Sequence, residues 1–114
     1  MTREFIHTKE FDTLWHNLSL TDEDLYELQV YLCENPDAGD VMQGTGGIRK
    51  VRFALPGKGK SGGARVIYLD IVTAEKIYLL SVFAKNEKSN LSKAERNELK
   101  ELVELLKKEA KNGK

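Results

Sequence analysis

Apolar residues recur along the chain at two different periods, and the change of period falls on a glycine cluster. Before it, Phe5 and Ile6 suit a short edge strand, after which Phe11, Leu14, Trp15 and Leu18 stand at i, i+3, i+4 and i+7, one stripe of a helix. Thr8 is placed to cap that helix, and Thr21 to cap a second, whose first turn carries Asp22, Glu23 and Asp24 against the positive end of the helix dipole. Leu25, Leu28 and Leu32 give the second helix an inward face, and Asn35-Pro36 ends it. Residues 39–47 then hold four glycines in nine positions, a loop that needs unusual backbone angles. Beyond it, residues 48–55, 64–72 and 76–83 are short runs rich in β-branched and aromatic side chains. A Gly/Lys loop and a tight turn near Thr73-Ala74-Glu75 separate them, spacing too short for parallel crossovers, so these three strands are expected to form an antiparallel meander. A final helix opens with Ser92 and Glu95 in capping-box register and carries its stripe on Leu99, Leu102, Val103, Leu106 and Ala110. The order is β-α-α-β-β-β-α, an α+β chain.

Length makes residues 1–114 one domain, with room for a single small core and too little for a nucleotide-driven motor or kinase. Apolar residues make up 40% and charged residues 32%, the balance of a folded soluble protein. Formal charge is zero, with 18 basic and 18 acidic side chains, but the charges are not mixed. Residues 1–40 contain 2 basic and 10 acidic side chains, whereas residues 41–68 contain 6 basic and none acidic. Asymmetry of that kind points to a polyanion or an oppositely charged protein as partner. Cys33 is the only cysteine, so no internal disulfide can form; it reads as a buried helix thiol, suited to the cytosol. No apolar run approaches the roughly 20 residues of a membrane span, and the polar start does not read as a signal peptide. A cytoplasmic protein without membrane contact is expected.

The glycine-rich string at 54–63 imitates two nucleotide-binding signatures. Residues 54–61 fit a permissive phosphate-loop pattern, and Gly57, Gly59 and Gly62 fit the dinucleotide fingerprint. Both signatures require a following helix whose N-terminal amides meet the phosphates, and here the string feeds a strand. What remains is a concentration of cations. Alternation places Lys50 and Arg52 on one face of their strand, with Val51 and Phe53 opposite. A hairpin partner would bring Arg65 beside them, while Lys58 and Lys60 sit in the connecting loop. Three of the five arginines, Arg49, Arg52 and Arg65, fall in this segment.

Two readings fit that pattern. One is a solvated loop whose lysines protect a sheet edge; the other is a cationic surface for a nucleic-acid backbone. Such a surface can also assist metal-free RNA cleavage, where a ribose 2′-hydroxyl attacks its own phosphodiester and cations stabilise the developing charge. Residues 41–68 contain no carboxylate to hold a hard cation, so neither metal nor cofactor is expected. His7 and His16 lie outside the basic segment, and Tyr68 and Tyr78 read as core or cross-strand residues. The cluster Lys85-Asn86-Glu87-Lys88 after the third strand is either a helix lead-in or part of the site.

The ordered combination Asn35-Pro36, Gly39-Asp40-Val41, 44–52 (GTGGIRKVR), 57–68 (GKGKSGGARVIY) and 83–87 (FAKNE) resembles the RelE/HigB group of bacterial type II toxins, the HigB-like branch especially, across about residues 20–110. The resemblance implies two N-terminal helices packed on one side of a small antiparallel sheet, plus a C-terminal helix. It also implies a ribosome-dependent endoribonuclease that cuts mRNA in the decoding site and is neutralised by a cognate antitoxin. Carried over by position, Arg65, Lys58, Lys60, Lys85 and Glu87 fall at catalytic positions, and Lys50, Arg52, Arg49, Asn86 and Lys88 at positions that contact mRNA and ribosomal RNA. Some relatives place a tyrosine or histidine near the C-terminal end as acid or base, where this chain reads Ser-Asn-Leu-Ser at 89–92. Glu87, a lysine, or positioning by the ribosome would then supply that part of the rate. A ParE-like gyrase poison on the same fold and a non-catalytic RNA-binding module are the alternatives.

Overall fold

The computed structural model describes residues 3–54, 63–84 and 92–112. Its elements are β1 (Glu4–His7), α1 (Lys9–Asn17), α2 (Asp22–Glu34), β2 (Asp40–Val41), β3 (Arg49–Phe53), β4 (Ala64–Ile71), β5 (Lys76–Ala84) and α3 (Lys93–Asn112). The strands form one sheet in the order β1-β5-β4-β3-β2.

The helix starts follow their local chemistry. Thr8 Oγ1 accepts from Phe11 N at 3.0 Å and also donates to Leu80 O at 2.9 Å, so the cap of α1 fastens that helix to β5. Thr21 and Asp24 form a reciprocal capping box at α2, and Ser92 and Glu95 form another at α3. The meander is antiparallel, as its short connections require. Its turn near residue 74 is a 3-10 turn over Val72–Ala74 closed by Glu75 in the left-handed region at φ 55°. Two features were not expected: β2 forms inside the glycine-rich loop, and β1 pairs with β5 in parallel, Phe5 opposite Ile77, which makes the sheet mixed.

The two N-terminal helices share one face of the sheet, as expected, and α3 covers the other. Phe11, Trp15, Leu28 and Leu32 of α1 and α2 pack on Val51, Val66, Tyr68, Ile77 and Leu79. Val103 and Ala110 of α3 pack on the other face, with Ile48, Ile67, Leu69, Tyr78 and Leu80. The physical reason lies in the strands. Residues 66–69 of β4 and 77–80 of β5 are apolar without alternation and buried throughout, so neither face can be left to water. Cys33 is half-buried rather than buried, because Leu28 and Leu32 occupy the inward stripe of α2 and Cys33 lies beside it.

The glycine-rich loop positions the edge of the sheet. Gly39, Gly44, Gly46 and Gly47 all have positive φ. Gly39 is the most constrained: at φ +82° its Cα faces the backbone of Lys50 and Val51, and any Cβ there would collide with the Lys50 carbonyl. Thr45, fully buried, donates to Met42 O at 2.6 Å and accepts from Ile48 N at 3.2 Å, tying the loop across its base. Tyr68 reaches from β4 to the segment after α2, its hydroxyl lying 3.1 Å from Pro36 O and 2.6 Å from Ala38 O. At the far end of β4, Asp70 holds Arg3 through Oδ1 to Nε at 2.7 Å and Oδ2 to Nη2 at 3.2 Å.

Candidate functional site

The register of β3 against β4 assembles the cationic face. Val51 and Val66 are paired and point toward α1 and α2, so Lys50, Arg52 and Arg65 lie on the face shared with α3. Arg52 is directly opposite Arg65, Lys50 is opposite Ile67, and Phe83 of β5 flanks Arg65 on its other side. The sequence-based placement of Lys50, Arg52 and Arg65 on one face therefore holds. Like charges directly opposite each other on neighbouring strands repel and weaken a sheet. Arg52 is exposed and loses little by this, but Arg65 is half-buried and its Nε has no hydrogen-bond partner. A sealed guanidinium N–H without an acceptor costs roughly 1–3 kcal/mol. Two cations are thus held side by side on one face of the sheet. A β-bulge lies nearby: Ile67 pairs with Ser81 and Tyr68 with Leu79, leaving Leu80 as an extra residue on β5. Bulges often re-aim side chains at the margin of a site.

Arg49 falls on the opposite face of β3. It pairs in register with Tyr68, and its Nη1 donates to Gly39 O at 3.0 Å, holding the glycine-rich loop instead of extending the cluster. Lys58, Lys60, Lys85, Asn86, Glu87 and Lys88 lie outside the described residues. The chain resumes at Gly63 and runs directly into β4, so no helix follows the glycine-lysine string and both nucleotide signatures fail on their own requirement. Asp70, which mimics the aspartate that accompanies a phosphate loop, is engaged by Arg3.

His7, Tyr68 and Tyr78 are packed or hydrogen-bonded within the fold. His7 sits on β1, Nδ1 3.1 Å from Asp12 Oδ1 and Nε2 3.2 Å from Gln29 Nε2, at the opposite side of the sheet from β3. His16 is exposed on α1. Burial pushes the Tyr68 phenol up to about 12, with Arg49 pulling it the other way, and burial also raises Tyr78. Neither phenol is tuned for proton transfer near neutral pH. Among the described residues no three His, Cys, Asp or Glu side chains converge as a metal site, and no helix is long and apolar enough to cross a membrane.

One residue of interest escaped the sequence reading. Arg96, on the second turn of α3, also has a buried Nε without a partner. Its signal was present: Arg96, Leu99, Val103, Leu106 and Ala110 follow one another at helical spacings of three and four, so Arg96 extends the apolar stripe.

A family model described as the RelE toxin of the RelE/RelB toxin–antitoxin system matches residues 3–113. Among solved structures, the chain is similar to a mutant of the E. coli toxin RelE in the free state. The TM-score is 0.55 at 19% sequence identity, over 75% of this chain and 86% of that one, a likeness of fold.

Proposed function

Because this chain belongs to the RelE toxin family of toxin–antitoxin systems, which implies an antitoxin as its partner, we propose that it is a ribosome-dependent mRNA endonuclease that inhibits translation. The observation that carries this reading is the cross-strand Arg52–Arg65 pair, with Lys50 on the same face and no carboxylate in residues 41–68 to neutralise it. Within the family the glycine and basic motifs favour the HigB-like branch, acting in the cytoplasm on mRNA held in the decoding site.

The chemistry asks little of the protein beyond charge and positioning. The 2′-oxygen attacks the adjacent phosphorus, the bond from phosphorus to the 5′-oxygen breaks, and a 2′,3′-cyclic phosphate and a 5′-hydroxyl result. One proton leaves the 2′-hydroxyl and one is delivered to the 5′-oxygen. Arg65 stabilises the phosphorane charge through its guanidinium. Arg52 and Lys50 bind the flanking phosphates. Lys58, Lys60, Lys85 and Glu87 are the candidates for the proton transfers and for further charge stabilisation, with Asn86, Lys88 and Arg49 as RNA contacts.

The test is primer extension on a translated message in a cell-free system, comparing the wild type with Arg65→Ala. Loss of one such donor should lower cleavage by about 10²–10³-fold, with the melting temperature no lower than that of the wild type. Undiminished cleavage by Arg65→Ala would overturn the assignment. Intact mRNA accompanied by gyrase-linked DNA damage would replace the nuclease with a gyrase poison.

A further inference from the structure

The parallel partner of β5 stops short. β1 pairs with residues 76–79, and Thr8 closes the junction, taking the Leu79 carbonyl with its N–H at 3.0 Å and the Leu80 carbonyl with its hydroxyl at 2.9 Å. From Ser81 to Phe83, among the described residues, no strand lies on that side of β5. The ladder decides which backbone groups are turned there. Met42 N donates to Ile48 O, so by alternation Lys50 faces β2, Val51 faces β4, and Arg65 and Ile67 face β5. Phe83 and Ser81 are their partners, which leaves Val82 with its N–H and C=O directed at the open side.

That edge lies in a cleft of about 570 Å³ between α1 and α3. Leu14 and Leu18 on the α1 wall and Leu99 and Leu102 on the α3 wall are each only half-buried. The first two border the core under α1 and α2 and the other two the core under α3, so both cores come to the surface at one place. Glu10, Glu95 and Glu98 add to the lining, and no lysine or arginine joins them. Glu10 Oε2 accepts from Ser81 Oγ at 3.2 Å and Glu95 Oε1 from Ser92 N at 2.9 Å, while Glu98 is exposed. Open strand edges are a hazard that proteins shorten, charge or cover. Carboxylates of one sign beside leucines left half in water go further than guarding this edge, because they select what can pair with it.

We propose that this cleft docks an extended segment of a partner protein in which apolar residues alternate with lysine or arginine, paired as an added strand along Ser81–Phe83. Successive side chains of such a strand point to opposite walls. Its apolar residues cover Leu14 and Leu18, and its cations turn to α3, their stems along Leu99 and Leu102 and their charges at Glu98 and Glu95. The same carboxylates repel RNA and acidic peptides, and a second copy of the chain would bring its own Glu10 and Glu98 against them. The cleft is lined by none of the arginines, and its occupant is independent of whether the Arg52–Arg65 face cuts RNA.

The probe is a fluorescein-labelled peptide of alternating lysine and leucine, titrated with the full chain and followed by anisotropy. It should bind, whereas a peptide of alternating glutamate and leucine, or the lysine peptide N-methylated along one backbone edge, should bind at least about tenfold more weakly. Glu98→Lys should weaken binding about tenfold, and Glu104→Lys, the same charge change at an exposed position outside the cleft, less than about twofold. Amide exchange at Val82 should slow about tenfold in the complex. Absence of binding, equal affinity for the acidic peptide, equal effects of the two substitutions, or unchanged exchange at Val82 would each overturn the assignment. So would a concentration-dependent dimer that excludes the peptide, which would make the edge a contact between copies. None of these outcomes bears on cleavage of translated mRNA, which Arg65→Ala tests separately.

Discussion

Replacing Tyr68 with Phe removes one oxygen from the core and leaves its volume unchanged. That oxygen lies 3.1 Å from Pro36 O and 2.6 Å from Ala38 O, and Tyr68 is fully buried. The variant deprives two carbonyls of their shared donor, so the expected loss near neutral pH is about 1–2 kcal/mol, or roughly 3–6 °C in Tm for a domain of this size. A second signature lies at high pH. The phenol titrates near 10 in the unfolded chain, whereas burial moves it to about 12 in the folded one. The folded state retains the proton longer, so this contribution is complete below pH 10 and disappears as pH rises from 10 to 12. Its size is on the order of 3 kcal/mol, two pKa units at about 1.4 kcal/mol each. Urea unfolding at pH 7.5 and at half-unit steps from 9 to 11.5 measures both effects. The wild type should lose stability more steeply than Tyr68→Phe above pH 10, and the two curves should converge. Equal midpoints at pH 7.5 together with parallel alkaline curves would refute the bridging role of the hydroxyl.

Two other substitutions test how the sheet is framed. Gly39→Ala should cost about 3 kcal/mol, combining a positive φ with a Cβ driven against the Lys50 carbonyl; chemical denaturation measures it, and Gly44→Ala, where nothing lies within 4 Å of the new Cβ, should cost less. Asp70→Asn replaces the carboxylate that holds the Arg3 guanidinium, which is 4% exposed, with a neutral amide and should lower stability by about 3 kcal/mol. The double variant Arg3→Met/Asp70→Leu should recover most of that loss, and a double variant as unstable as the single one would show that the ion pair is not the cause.

Local chemistry was legible in the sequence wherever the determinant and its effect lie within a few residues. Thr8, Thr21 and Ser92 cap helices because their hydroxyls reach amides three positions on, and the Arg52–Arg65 pairing follows from a hairpin that alternates inward and outward. What the sequence left open depends on distant partners. Pattern alone could not decide that β1 would run parallel to β5, since Phe5 and Ile6 suit either direction. Nor could two residues, Asp40 and Val41, announce a strand that exists only because Gly39 lets the chain close on Lys50. Arg49, counted with its basic neighbours, was separated from them by the period of two, and only the Gly39 carbonyl explains where it goes.

The parallel pairing of β1 with β5 has a consequence during synthesis. Glu4 finds its partner Lys76 after 72 further residues, and Arg65 lies on β4, flanked by β3 and β5. A nascent chain stopped before β5 has already received the β3–β4 hairpin that sets Arg52 opposite Arg65, but it lacks the strand that covers the other edge of β4. Topology of this kind delays assembly until late in translation. Fragments released early would then carry the paired cations on a hairpin with an uncovered edge, and only a ribosome that has read through β5 delivers a polypeptide whose sheet can close.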